Sequence, residues 1–157
     1  MSDLKITGVH SSPNKDIRIW KPQLIVIHAT GGKLAGALSW MLNPDSKVSA
    51  HWLIGKNGEL YQLVEEKDVA WHAGDSEFDR VKGLNRLSIG IELENMNDGV
   101  DPYSEEQLVV CSQVCKAAMK NWQIIKIVGH SEIAPGRKTD PGKLFPWDHF
   151  LKMTLEA

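Results

Sequence analysis

Two stretches decide how this chain reads: Leu24-Ile-Val-Ile-His28 and Gly129-His130-Ser-Glu-Ile-Ala-Pro-Gly-Arg-Lys138-Thr-Asp140-Pro-Gly142. The first is a short, continuous, mostly β-branched apolar run, the pattern of a strand buried on both faces. It ends in an imidazole. Ile124 to Val128 is a second such run, and His130 stands just past its end, after Gly129. Open α/β sheets gather their ligand sites at the carboxyl ends of strands, which is where both histidines fall. The loop behind His130 carries Pro135 and Pro141 with two glycines, a composition able to turn Asp140 back toward the imidazole. Two imidazoles and one carboxylate can hold zinc and leave one position open, as hydrolytic sites do. The bland reading of the same residues is two hydrogen-bonded core histidines and a turn aspartate.

Around these stretches the pattern alternates between strands and helices. Leu34 to Leu42 reads as a helix with Leu34, Leu38 and Met41 or Leu42 on one face, ended by Asn43-Pro44-Asp45. His51–Ile54 and Glu59–Val64 are strands joined across Asn57-Gly58, a strong hairpin signal. Ser88 to Glu94 alternates between an apolar set, Ile89, Ile91 and Leu93, and a set bearing Glu92 and Glu94. Ser104-Glu-Glu-Gln107 has the form of a capping box. Leu108, Cys111, Cys115, Ala118 and Trp122 then recur at helical spacing. A closing helix is expected from Pro146 to about Leu155, with Phe150 inward. The polar segment before Trp20 is expected to pack along an edge. The expected fold is an α/β single domain spanning 1–157, with a central mixed sheet flanked by helices.

Bulk properties narrow the function classes. At 157 residues, 42% hydrophobic and 24% charged, the chain can bury a real core without disulfides. A net charge of −2 supplies no positive field to recruit nucleic acid. Cys111 and Cys115 lie side by side on one helical face, a poor geometry for a disulfide, and read as small buried apolar residues. The N-terminus shows no signal-peptide pattern and no run is long enough to span a bilayer. The expectation is a monomer made in the cytoplasm, with no membrane insertion.

The chemistry needs a proton acceptor and an oxyanion stabiliser. A charged residue within an apolar strand is costly unless used or paired, and Glu92 and Glu94 both qualify. Lys138, two residues before Asp140, could bring an ammonium near the metal or be a solvated loop lysine. Trp71, His72 and Gly74 belong to a loop expected to border a groove, where a tryptophan face suits sugar or peptide. Thr30 and Asn95 are further candidates to line it. His51 reads as a supporting or packing residue and Trp52 as core.

Val26-Ile-His28, Val48-Ser-Ala-His51, Ala70-Trp-His-Ala-Gly74, Ser88-Ile-Gly-Ile-Glu92-Leu-Glu94 and Gly129-His130 with Arg137-Lys138-Thr-Asp140-Pro-Gly142 together resemble the zinc-dependent N-acetylmuramoyl-L-alanine amidases of the amidase-2 family. The resemblance runs from about Leu24 to Phe150. It implies zinc on His28, His130 and Asp140, and it matches Glu92, rather than Glu94, to the catalytic glutamate and Lys138 to the transition-state lysine. Many phage and animal members have cysteine as third ligand, where this chain has Asp140. Several carry tyrosine just before the residue matching His51, where this chain has Ala50, so that Glu92 would act as base alone.

The implied substrate is peptidoglycan or a muropeptide, cut at the amide between N-acetylmuramic acid and L-alanine. The compact length and the short segment between Leu42 and Val48 lean toward a phage-type endolysin acting on the wall once released; no separate cell-wall-binding domain is expected, so any targeting would lie in the catalytic domain itself. The alternatives are a cytosolic muropeptide-recycling amidase and a non-catalytic peptidoglycan-binding protein.

Overall fold

The computed structural model describes residues 4–156. Its centre is a six-stranded mixed sheet made of β1 (Gly8–Val9), β3 (Leu24–Ala29), β4 (Trp52–Ile54), β5 (Leu60–Gln62), β9 (Ser88–Leu93) and β10 (Lys126–Gly129), in the order β1-β5-β4-β9-β3-β10. β4 and β5 form the antiparallel hairpin, while β9 runs parallel to both β4 and β3, and β3 parallel to β10. The N-terminal segment adds β1 at the edge, parallel to β5. Two small ribbons stand apart from the sheet: β2 (Lys15–Ile17) with β6 (Asp68–Ala70), and β7 (Glu77–Phe78) with β8 (Val81–Lys82).

Strand alternation sends successive side chains to opposite faces. Ile25, Ile27, Ile89, Ile91, Leu93 and Ile127 point to one face, where α2 (Glu105–Asn121) and α4 (Trp147–Leu155) cover them with Leu108, Cys111, Val114, Cys115, Ala118 and Phe150. Both cysteines are fully buried and free. Leu24, Val26 and Val128 point to the other face and meet Ala73, Leu84 and Ile133. Beside them Leu53 meets Met41, Ala50 and Leu63 under α1 (Leu34–Leu42). His28 and Glu92 belong by alternation to this second face, between its two apolar clusters.

The ends of the elements carry specific anchors. Ser104 caps α2 by accepting from the Gln107 N–H. Gln107 does not return the bond that a full capping box would have; its buried amide donates instead to the Ile54 and Glu94 carbonyls, tying α2 to two strand ends. α3 (His130–Ile133) is a single turn springing directly from β10. Arg18 binds the carbonyls of Glu66, Asp68, Arg86 and Ser88, joining the lead-in segment to the second face.

Phe150 is fully buried at the contact of α4 with the sheet. Phe150→Ala should lower the unfolding free energy by roughly 3–5 kcal/mol, read from the urea midpoint at unchanged slope. A loss no larger than the ~0.5 kcal/mol of ordinary surface substitutions would remove α4 from the core.

Candidate metal centre

His28 is the penultimate residue of β3, and β3 pairs with β9 so that His28 lies opposite Glu92. His130 opens α3 at the end of the neighbouring β10. The Ser131 N–H donates to the Asp140 carbonyl at 2.9 Å, closing the loop and returning the Asp140 carboxylate to the strand ends. That carboxylate accepts the Ala29 N–H at 3.2 Å. The sequence-predicted ligands therefore meet at one buried point. His28 Nδ1 lies 3.0 Å from His130 Nδ1, and Asp140 Oδ2 lies 3.4 Å from the first and 3.3 Å from the second.

The hydrogen-bond inventory of this cluster fits a cation. The Ala73 carbonyl lies 2.9 Å from His130 Nε2 and can only accept, so His130 carries its proton there and turns a bare Nδ1 inward. Burial depresses the His28 pKa and keeps that ring neutral. Three acceptor groups thus converge with at most one proton among them. A divalent ion satisfies all three, and a nitrogen and oxygen set without thiolate suits zinc. Among the described residues this trio is the group of side chains able to hold a metal ion.

Glu92 and Glu94 share a face but have different surroundings. Both Glu94 oxygens accept backbone N–H groups, from Leu34 at the start of α1 and from Lys56, each at 2.9 Å. Glu92 Oε1 stands 3.8 Å from His28 Nδ1, and its Oε2 is buried with no hydrogen-bond partner. Burial and the Asp140 charge push the Glu92 pKa well up, against an opposing pull from Lys138. A carboxyl so raised holds a proton more readily than an ordinary glutamate, which suits a group that must take one up and give it back. Lys138 is exposed and lines the same cleft of about 230 Å³ with His28, Glu92, His130 and Asp140.

The remaining candidates fall in different places. Trp71 walls the cleft, held by bonds from its indole to Asp16 and from its backbone to Ser49. Gly74 lies in an adjoining depression with Lys47 and Arg137. His72 lines the floor of the cleft and of the adjoining depression but is buried, with both ring nitrogens hydrogen-bonded inside the protein. Thr30 lines the cleft, whereas the buried Asn95 braces the neighbouring loop through the Asp101 carbonyl and the Asn97 N–H. His51 is fully buried and locks β4 to β9, accepting from the Gly90 N–H and donating to the Asp68 carbonyl.

Sequence reasoning missed Trp40 and Val48, both exposed and lining the cleft. It also missed Arg137, which ties the loop after His130 to the Ala73 and Asp75 carbonyls. Trp40 had one signal, an aromatic residue off the apolar face of α1; Arg137 had none beyond its place in the loop.

A mixed sheet presenting two imidazoles and a carboxylate at adjacent strand ends beside a cleft defines a candidate metal centre with nitrogen and oxygen donors. Residues 19–143 match the family model for N-acetylmuramoyl-L-alanine amidase, amidase-2, and the chain belongs to that family. The chain is 42% identical over 108 residues to the 1,6-anhydro-N-acetylmuramyl-L-alanine amidase AmpD of Haemophilus influenzae, a match covering 67% of this chain and 58% of that protein. It thus spans little more than half the length of that relative. A crystal structure of a selenomethionine AmpD derivative superimposes with a TM-score of 0.81 at 32% identity, covering 98% of this chain and 99% of that one. The E. coli amidase AmiD, solved in complex with anhydro-N-acetylmuramic acid-L-Ala-D-gamma-Glu-L-Lys, superimposes with a TM-score of 0.77 at 32% identity over 90% of this chain and 58% of that one.

Burial drives the His51 pKa from 6.5 down to about 3. The unfolded chain takes up this proton below about pH 6.5 and the folded chain does not until about pH 3, so stability falls as the pH drops through that window. Thermal melts of the metal-free protein should show an acid slope to which the buried His28 and His72 also contribute, and His51→Asn should make it shallower. An unchanged slope in the variant would remove His51 as a source of the acid sensitivity.

Proposed function

We propose that this chain hydrolyses the amide bond between N-acetylmuramic acid and L-alanine, and that it acts on soluble anhydro-muropeptides rather than as an endolysin. The observation that carries the reading is the convergence of His28, His130 and Asp140 with Glu92 Oε1 3.8 Å from the nearer imidazole. The recycling-type substrate is supported by the relatives, whose names specify 1,6-anhydro-N-acetylmuramyl-L-alanine amidases. The endolysin expectation rested on compact length and a short segment between Leu42 and Val48; both readings cut the same bond, and the relatives named as anhydro-muropeptide amidases favour the soluble substrate.

His28, His130 and Asp140 would hold the zinc ion. Bound there, zinc would supply a Lewis acid that polarises a carbonyl and makes water a competent nucleophile near neutral pH. Glu92 receives the proton of the attacking water and delivers it to the leaving amine, a role its raised pKa suits. The Lys138 ammonium, exposed and lining the cleft, stabilises negative charge developing on the carbonyl oxygen. Trp40, Val48 and Trp71 give the cleft apolar walls on which the muramyl ring or peptide stem can lie.

Glu92→Ala should cut turnover of a purified anhydro-muropeptide by about 10²–10⁴, and Lys138→Ala by about 10²–10³. Both variants should keep one zinc per chain by atomic absorption. Near-normal product release by mass spectrometry from either variant would remove that residue from the mechanism. Initial rates on soluble anhydro-muropeptide should exceed those on intact sacculi, and the reverse order would restore the endolysin reading.

A further inference from the structure

The two histidines of the centre are held in different ways. His130 turns Nε2 directly to a carbonyl, that of Ala73. His28 turns Nε2 to another imidazole, with His72 Nδ1 at 2.9 Å. His72 Nε2 in turn lies 2.9 Å from Ser88 Oγ, and Ser88 Oγ lies 2.7 Å from the Leu84 carbonyl. A neutral imidazole carries one proton on either nitrogen, and a hydroxyl can point its proton either way. A carbonyl only accepts, so the far end of this series has one possible sense. Ser88 gives its proton to Leu84 and must accept from His72 Nε2–H. His72 Nδ1 is then bare and must accept from His28 Nε2–H. His28 is left with a bare Nδ1 facing His130 and Asp140.

We propose that His72 and Ser88 are positioning residues: a one-way hydrogen-bond relay from the Leu84 carbonyl that fixes His28 in the tautomer with its metal-facing nitrogen bare. The proposal rests on the metal-centre reading and names what sets one of its ligands. The surroundings are built for it. A Cβ at Gly90 would sit 2.4 Å from His72 Cγ and 2.6 Å from its Nδ1, so the ring fits only over a glycine. Asn85 Oδ1 accepts both the His72 and Ala73 N–H groups, at 3.1 and 2.7 Å, and so fixes the backbone of the loop that also supplies the His130 acceptor. Ser88, Gly90 and Glu92 are alternate residues of β9 and share one face. The first ends the relay, the second makes room for it, and the third stands opposite the ligand that it orients. Partners that orient a ligating histidine are typically worth about 10–100-fold in metal affinity.

The test uses the full chain, metal-free and with zinc. Long-range proton–nitrogen correlation spectra of the metal-free, 15N-labelled protein should show His28 protonated at Nε2. Ser88→Ala frees the His72 tautomer, so His28 should become a mixture of Nδ1–H and Nε2–H forms. Zinc affinity by chelator competition should fall about 10–100-fold. His72→Phe should lose as much, and His72→Asn, whose side-chain oxygen can stand in for Nδ1, should recover most of it. Circular dichroism melts report whether each variant folds, and the wild-type spectrum decides the relay even where one does not. An Nδ1–H form of His28 in the wild type, or wild-type zinc affinity in both Ser88→Ala and His72→Phe, would overturn the proposal. A wild-type chain that binds no zinc but shows the Nε2–H form would refute the metal-centre reading while leaving the relay standing.

Discussion

The parallel pairing of β3 with β9 sets the register on which the site depends. Because His28 lies opposite Glu92, a ligand and an uncompensated carboxylate project side by side on the same face of the sheet. A slip of one residue would send both into the isoleucine layer under α2 and α4, where neither could be satisfied. The register is held from both sides. Ile25, Ile27, Ile89 and Ile91 fill the helix-covered face, and His51 bonds to Gly90 across the β4–β9 pairing. β10 then places His130 one strand over, and the loop closed between Ser131 and Asp140 brings back the third group.

The centre is electrostatically poor as a hydrogen-bond network and good as a cation site. Acceptors approach one another to between 3.0 and 3.4 Å, and a carboxylate oxygen of Glu92 is buried without a partner. Such groups cost stability where nothing occupies them. The cost is concentrated at the carboxyl ends of the strands and beside an open cleft, while the rest of the second face is closed by apolar packing and backbone hydrogen bonds. The raised Glu92 carboxyl follows from the same crowding: burial and the neighbouring Asp140 disfavour a second negative charge.

What was legible in the sequence were the features with a strong period or a strong anchor. The Leu24–His28 run, the Asn57-Gly58 hairpin, the alternating Ser88–Glu94 strand and the helix begun by Ser104 all stand where their patterns put them. So does the meeting of His28, His130 and Asp140, because His28 ends one apolar run, His130 stands just past another, and the two runs form adjacent strands. The ribbons β2–β6 and β7–β8 were not legible: two or three residues carry no period, and their pairing is set by Arg18 and by loop closure. Gln107 matched a capping box in sequence but spends its side chain on strand carbonyls. His72 read as a groove residue and does line the cleft, but nothing local announces that its Nε2 is hydrogen-bonded to a buried serine sixteen residues later.

The central claim is that His28, His130 and Asp140 form one zinc centre entered through the Nδ1 atoms of both imidazoles. Anomalous diffraction at the zinc edge from crystals of the zinc-loaded chain tests it most directly. The account predicts a single strong peak bonded by His28 Nδ1, His130 Nδ1 and a carboxylate oxygen of Asp140, within reach of Glu92. A peak elsewhere, ligation through Nε2 of either histidine, or no peak from a chain active on muropeptide would contradict it.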